Sequence, residues 1–244
     1  MKERLLAEDI KQQQYFEAVP APSPEKDEGT REMFTLLPFI IGGGQNTERW
    51  YFEHISKITK YKFKVIPEYF GMESNYAMVF PQKIKKVLKD NVDVMIFCVF
   101  DWDTIHDSKT ERMKYVEFGD QFETEIANGT VRICRNMPSI EYWFLLHFEN
   151  YTGLLKNYRD ISNRLAPFIK SCFPDPTINF TKLLKAEKHL KDSTWVQNLC
   201  NHGKLNKAIK QAENNIKAAI VAGDLDKQSY SFLYKAFKYY PNTL

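Results

Sequence analysis

What the chain lacks narrows its class before any motif is considered. Cysteine is scarce: Cys98, Cys134, Cys172 and Cys200 stand far apart with no CxxC pair, which excludes a disulfide framework and leaves no sign of a thiolate zinc site. No apolar run approaches the ~20 residues that span a bilayer. The longest runs cover 34–41 and 92–100, and the polar start MKERLLAEDIKQQQ is unlike a secretion signal. A soluble cytoplasmic protein with no membrane partner is the expectation. Charge of one sign is missing too. With 34 Lys and Arg against 31 Asp and Glu the net charge is +3, so affinity for a polyanion has to come from local clusters. No internal repeat or low-complexity composition is present, which excludes fibrous architectures.

What is present is a globular composition, 43% apolar and 27% charged over 244 residues, enough for one large core or a core with an extension. Residues 1–33 combine a short helical pattern (Leu5, Leu6, Ile10) with the loop APSPEKDEGTRE and read as a flexible leader. From 34 to 41 an apolar strand empties into Gly42-Gly43-Gly44, and Thr47 reads as the N-cap of a helix whose apolar positions are Trp50, Phe52 and Ile55. The alternation repeats, with a strand at 61–66, a helix at 76–88, a strand at 92–100, a helix at 109–127, a strand at 131–134 and a helix at 140–148. The almost uniformly apolar run 92–100, with Cys98 as a small core residue, suits a central parallel strand covered on both faces. This order predicts a doubly wound α/β core over 34–150. Beyond 151 no strand signal appears, and 182–190, 204–222 and 229–239 predict a helical extension over 151–244.

In an open α/β sheet, ligands bind beyond the carboxyl ends of the strands. Three segments put polar groups there. The loop Gly42-Gly43-Gly44-Gln45-Asn46-Thr47-Glu48-Arg49 offers free backbone N–H groups and a helix start, so Gly43, Gly44 and Thr47 form a candidate phosphate-binding loop, though it lacks the Walker lysine and the GxGxxG spacing. A plain close-packed turn explains it equally well. Phe100-Asp101-Trp102-Asp103 follows the most apolar strand, and two carboxylates at i and i+2 leaving a strand project to one side, where a divalent cation relieves their repulsion. Asp101 and Asp103 are therefore candidate ligands for Mg²⁺ or Mn²⁺, and helix capping by Asp103 is the competing account. In the third segment Ser139 reads as an N-cap, Glu141 sits in the first helical turn, and His147 lies on an aromatic face where a core role is the commoner one. The lysines of 182–191 and 204–210 suit either a phosphate backbone or a solvated helix face.

These three segments, FIIGGGQNTERWYF (39–52), CVFDWD (98–103) and NMPSIEYWFLLHFEN (136–150), resemble the RloB family, also called the abortive-infection AbiLii-like family. Its members are similar to Toprim-domain nucleases and are associated with bacterial phage defence and restriction-linked loci. The resemblance runs from about 34 to 240 and is strongest up to 151. It implies a Toprim-like, Rossmannoid, mostly parallel sheet flanked by helices, a metal-binding acidic site, and phosphodiester hydrolysis in RNA or DNA, with an ATPase partner encoded nearby. Asp101 and Asp103 match the DxD pair that holds Mg²⁺. One departure stands out: the glutamate that follows the first strand in such domains is replaced by Gly43 or Gly44, while Glu48 matches a glutamate of the family's own pattern. The resemblance thus assigns Glu48, Asp101, Asp103 and Glu141 to catalysis, with Ser139 and His147 supporting a carboxylate. The alternative it leaves open is a catalytically degenerate protein that binds nucleic acid or the partner ATPase.

Overall fold

Strand β3 (Ile96–Asp101) carries six residues of which five are buried, because Ile, Phe, Cys and Val side chains on both faces require cover on both faces. In the computed structural model, which describes residues 37–43, 46–66, 76–175, 177 and 179–239, β3 lies at the centre of a five-stranded sheet. Its neighbours are β1 (Phe39–Gly42) and β4 (Val131–Met137), and β2 (Lys64–Ile66) pairs with the outer side of β1, all parallel. The helices between them are α1 (Thr47–Ile58), α2 (Tyr76–Asp90), α3 (Asp103–Asp107), α4 (Lys109–Gln121) and α5 (Glu123–Ala127). The leader at 1–33 and the start of the first predicted strand lie outside the described residues, as does Gly44.

Several boundaries differ from the sequence reading. The run 92–100 does not begin as a strand: Val92 is 80% exposed and Asp93 turns the chain with φ 53°, so extended pairing starts only at Ile96. The helix expected over 109–127 breaks at Phe122, whose ring is buried against Phe118. After β4 the chain makes the short helix α6 (Glu141–Leu145), all five residues buried.

The region beyond 151 is helical as expected, through α7 (Tyr158–Ile169), α8 (Phe180–Lys185), α9 (Glu187–Leu190), α10 (Thr194–Cys200), α11 (Lys204–Ala222) and α12 (Tyr234–Lys238). It also contains a strand that the sequence reading missed. Tyr230 and Ser231 form β5, antiparallel to the end of β4, with Ser231 paired to Asn136 and Tyr230 to Met137. Two residues are too few for an alternation to register. The core extends the same way, since Phe237 of α12 stacks on Trp143 at 5.3 Å and meets Phe52, Tyr61 and Phe63. Helices before and after 151 therefore share one apolar interior.

Candidate functional site

Three of the parallel strands end at the same edge, and each is followed by a carboxylate. Glu48 stands in the first turn of α1 after β1, Asp101 ends β3, and Glu141 begins α6 after β4. The approach of β1 to β3 at this edge is close: Gly43 N donates to Val99 O at 2.7 Å, and a Cβ on Gly43 would lie 3.1 Å from the Cβ of Phe100. A side chain at Gly43 would therefore require Phe100 of the central strand to shift by a few tenths of an ångström.

Asp101 is tied to the loop after β4, its Oδ1 accepting from Ile140 N at 2.8 Å. Burial above all, then the charges of Glu48 and Glu141 and to a smaller degree Asp103, hold its carboxyl well above the usual range, against the lowering effect of that hydrogen bond. Glu141 is 1% exposed. Its Oε2 accepts from Ser139 Oγ at 2.5 Å, while Oε1 is buried without a hydrogen-bond partner and faces Lys185 Nζ at 3.7 Å. Ser139 is therefore not the N-cap of α6, a place taken by Ile140; its hydroxyl holds the Glu141 carboxylate instead.

Lys185, at the end of α8, is the site residue that sequence reasoning placed only in a basic cluster. Burial works against its charge, yet Glu141, Glu48 and Asp101 outweigh it and raise its pKa. Glu48 is itself buried. Nothing local in the sequence marks Lys185, because the contact joins residues 44 apart in the chain (185 − 141). Side chains at the start of α1 deliver it. Thr47 Oγ1 donates to Leu184 O at 2.5 Å and Asn46 Nδ2 to Lys185 O at 3.0 Å. Thr47 is thus neither the N-cap, which is Asn46, nor turned to an open loop; its hydroxyl ties α1 to α8.

Asp103 starts α3, so the two-residue alternation of the strand stops at Asp101 and the pair does not simply project together. His147 lies apart from the carboxylates. Its Nδ1 meets Trp143 O at 3.0 Å and its Nε2 meets Cys200 Sγ at 3.9 Å. The carbonyl can only accept, so Nδ1 carries the proton, and burial pushes the ring's pKa down to about 3. The expectation that His147 holds a carboxylate is corrected: both ring nitrogens are spent in the core.

Among the described residues no three His, Cys, Asp or Glu side chains make a ready metal cage. The donor set still fits Mg²⁺ or Mn²⁺, which take hard oxygen ligands from one or two carboxylates and keep several waters. The buried Oε1 of Glu141, which has no hydrogen-bond partner, and the mutual repulsion of Asp101, Glu48 and Glu141, only partly offset by Lys185, are the observations that favour a cation here. The family model for RloB-like proteins matches residues 39–234. No curated protein and no solved structure matches the chain.

Proposed function

The chain belongs to the RloB-like protein family, and from that premise we propose that it is a metal-dependent nuclease that hydrolyses phosphodiester bonds of RNA or DNA in bacterial phage defence, with an ATPase as partner. The observation that carries the reading is the convergence of Glu48, Asp101 and Glu141 around Lys185 at the carboxyl edge of the sheet. Asp101, with Asp103 and Glu141, would hold Mg²⁺ or Mn²⁺. The bound ion supplies Lewis acidity toward the phosphoryl oxygens and eases deprotonation of water. Ser139 orients the Glu141 carboxylate, and Glu48 or Glu141 would accept the proton of the water whose oxygen bonds to phosphorus, while the bridging P–O bond breaks and the leaving oxygen takes a proton from solvent. Lys185 offsets the negative charge of the cluster, which lowers the barrier to a phosphodiester entering it.

Calorimetry with Mg²⁺ and Mn²⁺, followed by incubation with mixed tRNA, single-stranded DNA and plasmid, tests this on the parent and on Asp101→Asn/Asp103→Asn. The expected outcome is metal heat and cleavage of one substrate by the parent, both lost in the double variant, cleavage by on the order of a hundredfold or more. Equal cleavage by the variant would sink the nuclease reading. One observation favours a second reading, a non-catalytic protein that binds nucleic acid or the ATPase. The ammonium of Lys185 already faces Glu141 at 3.7 Å, an internal substitute for a metal charge. Absence of metal heat in the parent would select it.

A further inference from the structure

Apart from the carboxylate cluster, an open pocket of about 450 Å³ lies where the turn after α6, the end of α7 and the start of α11 meet, within the size range of small-ligand sites. Two kinds of group line it. Phe148 and Phe168 stack with ring centroids 5.3 Å and planes 16° apart, and Phe168 is 37% exposed, so the stack ends on a ring in contact with solvent. Lys204 and Lys207 supply positive charge beside these rings, with Lys204 Nζ 5.2 Å from the Phe148 centroid and Lys207 Nζ donating to Phe148 O at 3.0 Å. Among the described residues no carboxylate lines the pocket. His147, at its wall, is kept neutral by burial, with the charge of Lys204 adding to the effect.

These lysines have a ring face and a carbonyl as partners, and among the described residues no carboxylate lines the pocket beside them. Both stand in the first turn of the 19-residue α11, which has no acidic residue there and no side-chain cap from Gly203, so their charge adds to the positive end of the helix dipole. An anion relieves that, but a bare anion leaves the aromatic stack unused. A ligand that joins a phosphate to a planar ring satisfies both halves of the wall.

We propose that this pocket binds a nucleotide, with its phosphate against Lys204 and Lys207 and its base against the Phe148–Phe168 stack, either as one residue of a polynucleotide or as a free mononucleotide. The proposal stands independently of the carboxylate site and of any hydrolysis. It is tested on full-length protein carrying Asp101→Asn, without divalent metal, so that no strand is cut and no ion bridges. Fluorescein-labelled oligo(U) and oligo(dT) are titrated by anisotropy, and AMP and inorganic phosphate by calorimetry. Lys204→Gln/Lys207→Gln is expected to weaken oligonucleotide binding roughly tenfold or more and to reduce the salt slope by about 0.7 per lost contact. Phe168→Ala is expected to weaken it roughly fivefold or more with the slope unchanged. Lys204→Arg/Lys207→Arg and Phe168→Trp restore parental binding, separating contact from folding. AMP binding that exceeds phosphate binding identifies a free nucleotide as a source; oligonucleotide binding that needs both features without AMP binding identifies a polynucleotide. Parental affinity in both loss variants overturns the proposal. So does phosphate binding equal to AMP binding with no effect of Phe168→Ala, which leaves an anion site only.

Discussion

Asp101 illustrates how a single buried carboxyl makes stability depend on pH. Its pKa in the folded chain lies above the value of about 3.9 in an unfolded one, owing to burial and to Glu48 and Glu141. Between those two values the folded state binds more protons, so this group's contribution to stability falls as pH rises through the window and is unfavourable once Asp101 is ionised. Asp101→Asn, which removes the charge, should therefore raise the melting temperature of the metal-free protein at neutral pH, by about 2–4 °C if ~1 kcal/mol is relieved, while abolishing calorimetric Mn²⁺ binding. A lower melting temperature would show that the bond from Ile140 outweighs the repulsion. His147 behaves in the opposite sense. Its folded pKa is pushed down to about 3 against about 6.5 unfolded, so its contribution is complete above pH 6.5 and is lost as pH falls toward 3. Urea unfolding at pH 7, 6 and 5 should show stability declining by roughly 1.4 kcal/mol per pH unit from this ring alone below its unfolded pKa. His147→Gln, which keeps a donor for Trp143 O, should flatten that slope, and an unchanged slope would contradict the assignment.

Among the elements, α8 depends on α1 for its position. It is six residues long and has little helical stability of its own, so its register over the site comes from the bonds of Asn46 and Thr47 to its last carbonyls. The neighbouring α9 is held by His54, whose Nε2 meets Leu190 O at 2.6 Å. Thr47→Val leaves the buried Leu184 carbonyl unpaired and should cost about 1–3 kcal/mol, with amide exchange accelerating first in 180–190. Thr47→Ser, which keeps the hydroxyl, should stay near the parent. Uniform acceleration throughout the chain would mean that the bond supports the whole fold and not this helix.

For the whole molecule, the helices beyond 151 are not an appendage in the energetic sense. They supply β5 to the sheet edge, Phe237 to the aromatic core between Trp143 and Phe52, and Ser231 Oγ as a donor at 2.6 Å to the buried Oδ1 of Asn136. A chain ended at residue 150 exposes this interior and should show no cooperative thermal transition by circular dichroism. A sharp transition in that fragment would establish 34–150 as an independent domain. No helix among the described residues is long and apolar enough to cross a membrane.

Much of this was legible in the sequence because it is local. The apolar run 92–100 pointed to a central strand, which forms over its second half from Ile96, the close approach of Gly43 to the central strand fits the plain-turn account of the glycine loop, and the pattern over 204–222 pointed to the helix that forms there. The acidic pair at 101 and 103 was legible for the same reason, since both residues follow directly on that apolar run. Contacts that join distant parts of the chain were decided by tertiary structure alone. Periodicity carries no information about which lysine of a basic cluster meets Glu141, about the spending of Thr47 and Ser139 on Leu184 and Glu141 in place of helix caps, or about His147 turning to Cys200 and not to a carboxylate. Each of these depends on how helices cross the sheet edge, and packing fixes that only once the whole core has closed.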